Sequence, residues 1–114
     1  MTKKSYKEIN ADQAAYMQSF MKESKNTLNS FMQLHQATMS EGAVSLKNKE
    51  LIALGISIAV RCDGCIGAHV KAALNANATK EEIVEAINVA VLMGGGPSLT
   101  YGAQALAAAE ELAE

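Results

Sequence analysis

Tryptophan is absent from this 114-residue chain, and proline and arginine occur once each, at Pro97 and Arg61. Aromatic residues make up 4% of the sequence against 49% hydrophobic residues overall, so aliphatic side chains and methionine must do the packing. A chain this short has a high ratio of surface to volume, and aliphatic area beyond what one copy can bury calls for a homo-oligomer. With a lone arginine and a net charge of −2, the bidentate contacts that dominate recognition of phosphates and bases are scarce, so nucleic acid is not an expected partner. Long apolar runs are also missing. Leu51 to Val60 is the longest, is interrupted by Gly55 and Ser57, and is too short to span a bilayer. Met1-Thr2-Lys3-Lys4-Ser5 leads into Tyr6-Lys7-Glu8-Ile9-Asn10 rather than into the apolar segment of a secretory signal. These features predict a single domain over residues 1–114, in the cytoplasm and away from membranes.

Cysteine is scarce as well, but its two copies stand together in Arg61-Cys62-Asp63-Gly64-Cys65-Ile66-Gly67-Ala68-His69. If a helix starts at or near Cys62, steps of about 100° per residue place Cys62, Cys65 and His69 on one stripe. Cys62 then meets the unpaired N–H groups and the positive end of the helix dipole, which favour a thiolate over a thiol. Cys65 lies one turn further on, within reach of a disulfide to Cys62. His69, four residues beyond Cys65, supplies a base whose ordinary pKa is near neutral. Arg61 adds a neighbouring positive charge and Asp63 an opposing negative one. In a reducing compartment a close cysteine pair is more often catalytic or metal-binding than structural.

Other uses of these residues make different demands. A structural bridge over so short a loop restrains the unfolded chain by at most about 2 kcal/mol. Zinc could take Cys62, Cys65 and His69 with Glu50 as a fourth ligand, although structural zinc sites usually add a second pair at recognisable spacing. A c-type haem needs histidine directly after the second cysteine, where Ile66 stands. Two packed, inert cysteines are the remaining alternative. No cofactor is expected on the dithiol reading.

Glu50 in Leu46-Lys47-Asn48-Lys49-Glu50-Leu51-Ile52-Ala53-Leu54 precedes Cys62 by twelve positions. Ala72-Ala73, Thr79-Lys80-Glu81-Glu82-Ile83-Val84-Glu85-Ala86 and Gly94-Gly95-Gly96-Pro97 follow. Together these segments resemble the carboxymuconolactone decarboxylase superfamily, and within it the alkylhydroperoxidase D-like branch, over about residues 42–106. The resemblance implies an all-α bundle of about six helices that assembles as trimers or hexamers, with the Cys-x-x-Cys at a helix N-terminus. It implies that Cys62 and Cys65 are a redox pair, and that His69 and Glu50 form the proton relay that activates one of them. It also implies a hydroperoxide or disulfide as substrate and a dithiol as reductant, in some members a lipoyl group on a partner protein. The peroxidase members carry another histidine before the second cysteine, where this chain has Gly64. The decarboxylase members generally lack the cysteine pair, which makes a lactone-decarboxylating lyase the lesser inheritance.

The rest of the chain reads as helices. Ile9, Met17, Phe20 and Met21 predict a first helix from Tyr6 to about Met21, and Leu28, Phe31, Met32 and His35 a second, with a bend near Ser24 to Asn26. His35 is expected to be partly buried. Met39 to Val44 is a loop, and Ser45 caps a helix that begins at Leu46 and buries a stripe of Leu51, Leu54, Gly55 and Ile58. Were that helix continuous through Cys65, Glu50 and Cys62 would lie about 18 Å apart along it. The chain is therefore predicted to turn near Arg61 to Asp63, returning His69 towards Glu50 through a water, or leaving a neighbouring subunit to supply the carboxylate. The cysteine helix should end at Asn75-Ala76-Asn77. Thr79 and Glu82 form a capping box for a core helix through Ile83, Ile87, Ala90 and Val91, and the glycines end it. Pro97 suits the first turn of the last helix, Ser98 to about Ala113. Lys71 reads as a solvated charge, and the methionines as core or interface filler.

Overall fold

The computed structural model describes residues 3–113. It contains six helices, α1 Tyr6–Glu23, α2 Lys25–Thr38, α3 Leu46–Ala59, α4 Asp63–Asn75, α5 Lys80–Gly94 and α6 Gly96–Leu112, with no strand among the described residues. The ends are chemically marked. The Ser5 hydroxyl accepts from the Glu8 N–H, Ser45 from Asn48, and Thr79 with Glu82 closes a full capping box. These bonds satisfy N–H groups that a helix start leaves without partners. Gly95 alone separates α5 from α6, with φ +71°, a conformation that costs glycine least.

The core lies where α3, α4, α5 and α6 meet. Leu54, Ile58, Ile66, Val70 and Ile83 are fully buried there, with Ala73, Ala105 and Ala108 filling the narrow gaps. Gly102 lets α6 approach α5 closely, since a Cβ on it would stand 2.9 Å from Ile87 Cγ2. The lack of aromatic bulk is thus met by small residues and close helix packing. Tyr6 is the exception, 1% exposed and wedged between α1, α4 and α6.

Helices α1 and α2 bend apart at Ser24, as expected, but their outer apolar residues are not covered. Phe20, Phe31, Met32 and Leu34 are all exposed, and so is His35, contrary to the expectation that it is partly buried. The reason is that α2 packs chiefly on α1 and reaches away from the core. Likewise Leu51 and Gly55 are only half-buried and line an apolar groove between α3 and α5, while Leu54 and Ile58 carry the buried stripe.

Two substitutions gauge this account by chemical denaturation at fixed protein concentration. Leu54→Ala should cost roughly 2–5 kcal/mol through the cavity it leaves. Thr79→Ala should cost about 1 kcal/mol through the lost cap.

Candidate active site

The turn between α3 and α4 sets the site. Arg61 takes φ +60°, the left-handed conformation, and its N–H donates to the Ile58 carbonyl while that of Cys62 donates to the Ser57 carbonyl, both at 3.1 Å. This is a Schellman ending, with arginine where glycine would be cheapest by roughly 1–2 kcal/mol. It reverses the chain within three residues, so α4 packs back along α3. Asn77 closes α4 in the same way, at φ +69°.

Cys62 is the N-cap of α4, and its sulfur accepts the Cys65 N–H at 3.2 Å. A sulfur thus occupies the position that serine or threonine usually holds, next to the positive end of a helix. Cys62 and Cys65 form a disulfide with Cα atoms 5.2 Å apart, and both are partly exposed.

Further along the same face of α4, His69 Nδ1 lies 2.7 Å from Glu50 Oε1. Glu50 is only 5% exposed, and a carboxylate so buried needs a hydrogen-bond donor. The N–H at Nδ1 supplies it, which fixes the tautomer and leaves Nε2 as the basic nitrogen. The expected route through a water or from a neighbouring subunit is corrected here: the contact is direct and lies within one chain. Glu50 faces inward because it sits one turn into α3, on the side that meets α4.

Of the four residues singled out in the sequence, Cys62, Cys65 and His69 by helical spacing and Glu50 by the family resemblance, the structure joins Cys62 to Cys65 and brings His69 onto Glu50. What spacing did not reveal is the surround of Asp63. The Tyr6 hydroxyl donates to Asp63 Oδ1 at 2.9 Å and Lys4 Nζ to Oδ2 at 2.8 Å. Burial alone would raise the Asp63 carboxyl, but the bonds from Lys4 and Tyr6 and the charge of Lys4 outweigh it and hold it below its ordinary value. Burial first, then the bond to Asp63, pushes the Tyr6 phenol well above its usual range. These partners stand 57 and 59 residues from Asp63 in the chain, so no local pattern signals them. Gly64 opens towards Gln13 of α1, whose Oε1 lies 3.6 Å from where a Cβ would be.

Residues 26–111 match the model of the carboxymuconolactone decarboxylase family, and the chain belongs to that family. Its fold is that of a carboxymuconolactone decarboxylase family protein from Legionella pneumophila, with a TM-score of 0.93 and 41% identity over 96% of this chain and 97% of the other. A second family structure, from Thermotoga maritima, aligns with a TM-score of 0.81 and 28% identity over 90% and 88% of the two chains. For that protein an involvement in antioxidative response has been suggested. An uncharacterised protein encoded in the cox locus of Paracoccus denitrificans is 37% identical over 72% of this chain and 74% of its own length. Another, from Cupriavidus necator, is 34% identical over 70% and 71%.

The Asp63 contacts carry a pH signature. A carboxyl held low in the folded state contributes stability above its unfolded pKa, about 3.9, and that contribution is lost as pH falls through the lower folded value. Asp63→Asn should therefore be less stable than the wild type at pH 7, and the two urea midpoints should converge below about pH 4.

Proposed function

We propose that this chain is a dithiol-disulfide oxidoreductase of the alkylhydroperoxidase D-like branch, which reduces hydroperoxides and is reset by a dithiol. The observation that carries the reading is the Cys62–Cys65 disulfide at the start of α4, on the face where the buried Glu50 orients His69. An inert pair would need neither a helix N-terminus nor an oriented base beside it.

In the reduced enzyme His69 Nε2 takes the proton of Cys65, four residues before it, and Glu50 stabilises the imidazolium through Nδ1. The Cys65 thiolate attacks the outer oxygen of the hydroperoxide. The O–O bond breaks, the proton returns to the departing alkoxide, and the products are an alcohol and a sulfenic acid on Cys65. Cys62, favoured as a thiolate by the helix start and the Cys65 N–H, attacks that sulfur. The disulfide forms as hydroxide leaves and is protonated to water. A reductant dithiol then exchanges with the disulfide, giving back both thiols and leaving as its own disulfide. A lipoyl group on a partner protein has the required chemistry, and the reducing cytoplasm is the compartment that keeps the cycle running.

The working form is a homo-oligomer, a trimer or hexamer. The groove between α3 and α5, about 410 Å³ in volume, is lined only by apolar residues and glycine, among them Ile52, Ile56, Val89 and Met93, all four more than half exposed. Leu92 beside it is 81% exposed, and α2 presents Phe31 and Leu34 away from its own core. Apolar surface of this extent, split between a groove and a protruding helix, suits a second copy.

The chemical test is a thiol count with metal analysis, beside dithiol-dependent turnover of several hydroperoxides. One equivalent of hydroperoxide should consume two thiols with a mass loss of about two hydrogens, and Cys65→Ser should abolish turnover. His69→Asn and Glu50→Gln should each lower turnover by roughly 10²-fold, and the double variant by little more, because the two act as a unit. Stoichiometric zinc that shields both thiols would end the reading. Light scattering tests the assembly: Ile56→Asp or Met93→Asp should release monomers, and a wild-type monomer at micromolar concentration would refute the oligomer.

A further inference from the structure

A polar cluster reaches the dithiol from the start of the chain. Asp63 is the first residue of α4 and directly follows the N-cap Cys62. A carboxylate there draws on the same unpaired N–H groups and positive helix end that would stabilise a Cys62 thiolate, and two anions so placed repel one another. Both Asp63 oxygens are engaged, one by the neutral Tyr6 hydroxyl and the other by the Lys4 ammonium. Only Lys4 brings compensating charge.

Its position is built rather than incidental. Lys4 Nζ donates a second time, to Gln104 Oε1 of α6 at 2.6 Å, and lies 5.9 Å from the centre of the Tyr101 ring. The following residues are tied to the same helix, the Ser5 hydroxyl and the Tyr6 N–H each donating to the Glu111 carboxylate at 2.6 Å. Those two bonds, and others to that carboxylate, hold the Glu111 carboxyl below its ordinary value despite partial burial. Residues 4–6 thus form a strap from α6 to the first turn of α4. Other charged or titratable groups near that turn are Arg61, one residue before Cys62 and exposed, Lys71, which lines a pocket with Gly64, and the His69–Glu50 pair further along α4.

We propose that Lys4 is a positioning residue for the dithiol: paired with Asp63, it stops that carboxylate from competing with a Cys62 thiolate for the positive end of α4. The assignment rests on the reading of Cys62 and Cys65 as a working dithiol and adds a regulator of their balance. Its chemical effect falls on exchange with the reductant, where the sulfur better able to carry negative charge leaves faster.

The experiment isolates Cys62 in a Cys65→Ser background and follows thiolate absorbance and iodoacetamide labelling against pH. Lys4→Met should lower the thiolate fraction near neutral pH by about two- to four-fold, and Lys4→Arg should restore it. The difference should shrink in 1 M salt, since the pair is partly exposed. In an Asp63→Asn background Lys4→Met should shift the titration less, because only the direct field of the ammonium remains. An unshifted titration in Lys4→Met, or an equal shift with and without Asp63, would overturn the proposal, and melting curves of each variant separate these outcomes from loss of fold. The parent reading fails differently: a normally titrating Cys62 that responds to Lys4 in a protein without dithiol-dependent turnover would remove the oxidoreductase and keep the Lys4 effect.

Discussion

The reversal of the chain between α3 and α4 is the constraint on which the rest depends. Without it Glu50 and His69 could not meet, because a straight helix would separate the carboxylate from the cysteines by several turns. With it, one tight Schellman ending makes Cys62 the first capping group of the next helix and lays that helix against Glu50. The strain of a left-handed arginine is small beside the burial of Leu54, Ile58, Ile66 and Val70, which locks the two helices together. Position in the fold and chemistry at the site are therefore the same fact seen at two scales.

Much of this was legible in the residues. Helix limits followed from Ser45, from Thr79 with Glu82, and from the glycines before Pro97, because caps are local and carry their own signature. The cysteine stripe with His69 was legible for the same reason, being set by helical spacing alone. The necessity of a turn near Arg61 came from elementary helix geometry, yet nothing local said how closely the two helices would pack. Hence a directly bonded Glu50–His69 pair replaces the longer route expected.

What escaped was long in sequence or belonged to surfaces. Tyr6 and Lys4 reach Asp63 across about half the chain, and Glu111 ties the same segment from the far end. His35 shares the helical spacing of Leu28, Phe31 and Met32, but periodicity only says which side of a helix is apolar. It does not say whether anything in the same copy covers that side, and for most of α2 nothing does.

The sulfur of Cys62 has two bonds to make, as one half of a disulfide and as the acceptor that begins a helix. Each change in its bonding also changes the group that holds the Cys65 amide in the first turn of α4. The electron count of the pair is in this way written into the backbone, and the Cys65 amide hydrogen becomes its natural gauge.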